Sequence, residues 1–264
     1  MKSIHLDAGY AELPLGTLDS EKIEAVWRYR AQSEGQQLVL PDGRMDLVVH
    51  CALGRAGTAT PRLLVIAGPA QVPTMVALRP HTVILGVRFH IGWGGACLSI
   101  TPSALRDCTL VGGDVERCLG ALAGEILAQT TLHGVEAALR CVAAALASSA
   151  RARMAASHGR ALLALGRMQH GAQDDAGAAA WAPPSSARTL RRDMVAVVGL
   201  PLRTLAGVLR FQRAMALLAK GVAPLSDVAA AAGYADQAHM TREFRRFGGF
   251  TPALPETAPL VRLA

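Results

Sequence analysis

The chain has no apolar run approaching the roughly 18 residues of a membrane-spanning helix, and its start, Met1 to Asp7, lacks the hydrophobic stretch of a secretory leader. A cytoplasmic protein with no membrane partner is expected. The five cysteines, Cys51, Cys97, Cys108, Cys118 and Cys141, are odd in number, scattered and never in a CxxC pair. That argues against a disulfide framework and against a zinc module. His50-Cys51 and His90 with Cys97 lack metal-ligand spacing and read as buried thiols on β structure. No metal, cofactor or catalytic residue is expected. The rival reading on that side is an enzyme or covalent sensor working through Cys51 or Cys97, which needs an accessible thiol of low pKa.

What the chain has is 264 residues, 51% of them hydrophobic, enough for a substantial core and for two domains. It also has an uneven charge. From Pro183 onward there are 11 Lys and Arg against 5 Asp and Glu, whereas the first 182 residues hold 16 against 15, so nearly all of the net charge of +7 belongs to the last third. The same third repeats itself. Leu190, Met194, Val197 and Gly199 recur fifty residues later as Met240, Phe244, Phe247 and Gly249. An apolar triplet at i, i+4, i+7 with a glycine two positions on is one buried helix face and its stop. The opposite faces carry Arg188, Arg191 and Arg192 in the first copy and Thr241, Arg242, Arg245 and Arg246 in the second. Two basic, one-sided helices suit two successive segments of a polyanion, and double-stranded DNA is favoured over an anionic membrane because the apolar faces are narrow and charge-interrupted.

The second copy sits in a longer pattern. Leu225 to Ala232 reads as a short helix capped by Ser226, Gly233 as a tight turn of positive φ, and Asp236 as the cap of a second helix. The small Ala229 lets the two cross closely. Gln237, His239 and Arg242 then project from the first turns of the second helix, where a helix-turn-helix reaches base edges.

The run Gly233-Tyr234-Ala235-Asp236-Gln237-Ala238-His239-Met240-Thr241-Arg242-Glu243-Phe244-Arg245-Arg246-Phe247 with Gly249-Phe250-Thr251-Pro252, and upstream Leu190-Arg191-Arg192, Gly199 and Leu209 to Ala214, resembles the DNA-binding domain of the AraC/XylS transcriptional regulators over about a quarter of the chain. The resemblance implies two helix-turn-helix units joined by a linker helix, roughly Leu202 to Lys220, with both reading helices in adjacent major grooves. It implies DNA contacts from Arg188, Arg191, Arg192, Gln237, His239, Thr241, Arg242 and Arg245, and double-stranded DNA, RNA polymerase, a small-molecule effector and a second copy of the chain as partners. Two departures bear on it: Ala176 to Trp181, the expected brace of the first reading helix, has a glycine and no large aliphatic residue before Pro183-Pro184, and Pro255 should shorten or displace the last helix.

From Leu38 to Phe89 short β-like runs alternate with turn signals, Pro41-Asp42-Gly43, Gly68-Pro69 and Arg79-Pro80-His81 among them. Pro41-Asp42-Gly43 with Asp46-Leu47, Gly68-Pro69, and Leu85-Gly86-Val87-Arg88-Phe89 with Gly92 resemble a β domain of undefined function found ahead of such DNA-binding units. Gly92-Trp93-Gly94-Gly95 reads as a plain turn more readily than as an anion cradle. From Ser103 to Leu165 the pattern is helical, packing on the β domain or pairing with a second subunit, and 166–186 reads as a hinge or a poorly formed helix. The expected fold is α+β: a β-barrel-like sensing or assembly domain over 1–110, a helical connector or dimerisation region over 111–168, and an all-α double helix-turn-helix domain over 169–264. The expected function is an effector-responsive, sequence-specific DNA-binding transcription regulator. The alternative is a ligand-sensing, thiol-sensing or partner-binding protein whose first unit no longer supports DNA binding.

Overall fold

A computed structural model of the chain describes residues 9–31, 33–55, 58–170, 186–221, 224–253 and 260–261. Alternating apolar and polar residues build the N-terminal sheet. Strands β1 (Tyr10–Leu13), β2 (Ile23–Arg30), β4 (Met45–Leu53), β5 (Ala59–Ala67), β7 (Thr82–Phe89) and β8 (Thr109–Val111) form six antiparallel strands in the order β1-β2-β7-β4-β5-β8. A second sheet, β6-β3-β9, joins β3 (Gly35–Val39) to β6 (Thr74–Leu78) antiparallel and to the short β9 (Leu260–Val261) parallel.

The period of two sorts the central strands. Met45, Leu47, Val49 and Cys51 of β4, Val83, Leu85, Val87 and Phe89 of β7, and Leu64 and Ile66 of β5 face one buried core. Helices cover that face, above all α4 (Leu132–Ala150) with Val135, Leu139, Val142 and Leu146, together with α1 (Gly94–Leu98), α2 (Gly113–Leu119) and α3 (Ala121–Leu127). The opposite face, with Trp27, Tyr29, Val48 and Ile84, is covered by the small sheet. The expected β-barrel-like domain is therefore corrected to two open sheets, a six-stranded antiparallel one and a small mixed one. β1 and β8 end the large sheet, and among the described residues no ladder joins the two sheets. Closure needs a consistent strand stagger around the whole circuit, and here helices take up one face instead.

The C-terminal helices are α5 (Ala156–His170), α6 (Ala187–Val198), α7 (Leu202–Ala219), α8 (Leu225–Ala232) and α9 (Gln237–Phe247). Both repeated triplets are buried: Leu190, Met194 and Val197 on α6, and Met240, Phe244 and Phe247 on α9. α6 ends at Gly199 with φ +83°, and α7 leaves at 58° to it. The hinge expected over 166–186 is helical as far as His170. The expected brace at Ala176 to Trp181, Pro183-Pro184 and Pro255 lie outside the described residues. A brace is nevertheless present: Ala161 and Leu165 of α5 pack on the buried face of α6, and Arg160 Nε donates to Asp193 Oδ2 at 2.7 Å, with Asp193 2% exposed. Ser226 does not cap α8. That helix starts two residues earlier than a Ser226 cap would place it, at Leu225 after Pro224, and the Ser226 hydroxyl turns to the Asp227 carboxylate.

The two parts are packed tightly together. Leu38 and Leu40 of the β domain lie in one core with Val208, Phe211, Phe244 and Phe247. Gln212 Nε2 donates to the Pro41 carbonyl at 2.6 Å, and Arg106 Nε to the Gly199 carbonyl at 2.8 Å. Gly43, at φ +77°, lies so close to Leu205 that a Cβ would sit 2.7 Å from it. The Gly92 cluster is filled by protein, Gly92 by Leu162, Leu165 and Val197 and Gly94 by Met45, and the His158 ring lies 2.7 Å from the Gly92 carbonyl. It is a seat for α5 and α6.

Candidate nucleic-acid interface

On α6 the residues that need burial and those that need water separate by face. Leu190, Asp193, Met194 and Val197 are buried, while Arg188, Arg191 and Arg192 are exposed; Ser186 caps the helix through its hydroxyl to Thr189 N at 3.2 Å. Arg192 is 77% exposed, its Nε 4.0 Å from Asp193. Its charge is therefore available to solvent-side ligands.

The second basic helix, α9, is held firmly. Gly233 takes φ +90° at the turn, and the Asp236 carboxylate accepts from His239 N at 2.6 Å. This satisfies an amide that would otherwise be orphaned at the helix start. Phe211 of α7 meets Phe244 edge-on at 4.9 Å and Phe247 at 5.9 Å. Gln237, Arg242, Arg245 and Arg246 are exposed. Thr241 is half-buried and its hydroxyl donates to the Gln237 carbonyl at 2.9 Å, so it serves its own helix. His239 is 33% exposed, meets the Tyr234 ring edge-on at 5.2 Å and lies 3.8 Å from Glu243.

Sequence reasoning missed the contribution of the linker. Arg203 and Arg210, seven residues apart on one face of α7, join His239, Arg242, Glu243 and Arg246 of α9 around a cleft of about 290 Å³. The i, i+7 spacing was the available signal. Arg210 is held by Glu243 at 3.2 Å and lies over the Tyr234 ring, whose phenol burial pushes well above its ordinary pKa. Arg203 is exposed at the cleft mouth. Such a cleft offers several N–H donors to one phosphate group. Arg188, Arg191 and Arg192 lie on the other unit and do not line it.

Residues 184–254 match the model of a helix-turn-helix domain, and residues 17–110 match a domain of unknown function, DUF6597. The C-terminal unit is an AraC-type helix-turn-helix domain. No curated protein matches the chain. Among solved structures it is similar to apo ToxT from Vibrio cholerae strain SCE256 carrying a lysine-to-alanine substitution, at 12% identity over 89% of this chain and 97% of that one, with a TM-score of 0.42. It is also similar to unsaturated fatty acid bound wild-type ToxT of the same strain, at 11% identity over 94% and 95%, with a TM-score of 0.41. Both basic helices, α6 and α9, and the helix α7 between them lie within the matched residues. Among the described residues no single helix is long and apolar enough to cross a membrane.

Cys51 and Cys97, the two thiols singled out from the sequence, are both buried. The Cys51 thiol is pushed up to about 12 by desolvation. A thiol so disfavoured as the thiolate is a poor nucleophile.

Proposed function

We propose that the chain is a sequence-specific transcription regulator that reads two segments of double-stranded DNA and answers to a small molecule held by its N-terminal domain. The observation that carries this reading is the pair of basic, solvent-facing helices, α6 and α9, joined by α7 and braced by α5 and α8 respectively. Gln237 and Arg242 supply base contacts from the first turns of α9, and His239 sets the position of α9 through Tyr234 and Glu243 while presenting its open edge. Arg188, Arg191 and Arg192 do the same work on α6. Arg245, Arg246 and Arg203 hold phosphates, which gives affinity that falls with salt. RNA polymerase completes the partner set, and α4 offers its outer stripe of Ala137, Cys141 and Ala145 to a second copy of the chain.

Effector control would run through the β3–β4 turn. Leu40, Pro41 and Asp42 line a cavity in the β domain, and the Pro41 carbonyl and Gly43 rest directly on Gln212 and Leu205 of the linker helix. A ligand that shifts this turn shifts α7 and, with it, the spacing of the reading helices.

Enrichment of bound duplexes from a random pool tests the central claim, and a site with two reading segments is expected. On that site Arg242→Ala should lose about 1–3 kcal/mol of discrimination with little change on random DNA, whereas Arg203→Ala should weaken both alike and lower the salt slope by about one. Equal losses for the two variants in salt-matched titrations would remove Arg242 from the readers.

A further inference from the structure

The cavity between the two sheets is about 410 Å³, within the roughly 300–1,000 Å³ of small-molecule sites. Aromatic residues make up only 4% of the chain, yet two of its three tyrosines, Tyr10 and Tyr29, and one of its three tryptophans, Trp27, line this one space. The Trp27 ring is laid flat by the sheet register. Trp27 stands opposite Gly86 on β7, where a Cβ would lie 2.3 Å from the indole. Passing over that glycine, the indole N–H reaches Asp46 Oδ1 on β4 at 2.9 Å. Tyr10 extends the surface, its ring 6.1 Å from Trp27 at 33°.

The charges in the wall are of unequal sign. Asp42, Asp46 and Asp107 line the cavity against Arg44, and behind them Glu24 closes on the Arg44 guanidinium and Arg88 stands 3.5 Å from Asp46. Among the described residues, four carboxylates thus meet two guanidinium groups. Gln37 from the small sheet also lines the cavity; it is 4% exposed, and its Nε2 has no hydrogen-bond partner. A buried donor in that state is a loss unless an acceptor arrives.

We infer that this cavity binds a flat organic cation: a ring system stacked on Trp27 and Tyr10, a positive nitrogen facing Asp42 and Asp46, and an acceptor atom meeting the Gln37 amide. The claim rests on the effector reading above and narrows it to one chemical class. An aromatic face attracts a cation through its quadrupole, and the excess carboxylates add to it. The same wall repels an anion of equal shape.

Calorimetry with three matched bicyclic probes tests this on the full chain: 1-methylquinolinium, neutral 1-naphthamide and anionic 1-naphthoate. The cation should bind about tenfold or more tighter than naphthoate, as expected for a cation on desolvated aromatic faces. Asp42→Asn, at the cavity mouth, should narrow that gap while leaving naphthamide unchanged, and Val76→Trp, which fills the cavity from the small sheet, should abolish all heat with the thermal melt retained. Naphthoate binding as tightly as methylquinolinium, absence of heat for all three, or binding unaltered by Val76→Trp overturns the inference. A separate mobility-shift titration, with the Val76→Trp protein as control for dye on DNA, reads the effector role. Cation binding that leaves DNA affinity unchanged upholds the site and removes only its regulatory use.

Discussion

Asp46 and Arg88 stand directly opposite each other on β4 and β7, on the face turned away from the main core. Both are buried, and the Nε and Nη2 of Arg88 have no hydrogen-bond partner. Desolvation outweighs the neighbouring guanidinium, so the Asp46 carboxyl is raised to about 6 from its ordinary 3.8. The folded protein then holds this proton more tightly than the unfolded chain does. Its contribution to stability is complete below pH 3.8 and is lost as pH rises through about 6. Asp46→Asn should therefore gain on the wild type across that interval in urea titrations, on top of a constant offset from replacing the buried carboxyl with an amide. A flat difference between the two proteins would show that Asp46 is not titrating there. Gly86 is the companion test. In Gly86→Ala the methyl group must displace the Trp27 indole, so a loss of about 1–3 kcal/mol is expected together with an altered near-ultraviolet signal from Trp27. Unchanged stability and spectrum would mean that the indole does not lie over β7.

The cap of α9 gives a prediction for one helix. Asp236→Ala should cost about 1 kcal/mol and weaken DNA binding by fraying the turn that carries Gln237 and His239; intact affinity with the full stability loss would separate the cap from reading. α9 was legible because its signals are local: an acidic cap, a glycine turn and an apolar face of period 3.6 all lie within one window. β3 to β7 were legible for a similar reason, since turns flank each run. β2 was not, because Ile23 to Arg30 is covered on both faces and so shows no clean alternation. α5 was visible as a helix, but nothing local in Ala161 and Leu165 says that they brace α6. The cavity was hidden for the same reason. Gln37, Asp46 and His50 look like the solvent side of alternating strands, and only the second sheet, set by long-range pairing, turns that side inward.

The motif residues of the β domain acquire a common meaning only when the two units are taken together. Pro41 and Gly43 rest on α7, Pro69 on the Gly199 cap of α6, and Gly92 on α5 and α6. Leu38 of β3 and Leu40 just beyond its end complete the core that positions α9. α9 is thus supported partly by the β domain, and cooperative unfolding of both follows from the shared core. Leu40→Ala leaves a hole beside Phe211 and Phe244 and should cost about 2–4 kcal/mol. Hydrogen exchange locates that loss. If the core is shared, amides of α7 and α9 lose protection although the substituted residue belongs to the β domain, and DNA affinity falls with them. Loss confined to the amides of β3 and β6 would mean that the C-terminal unit stands by itself, joined to the β domain through Gln212 and Leu205 alone.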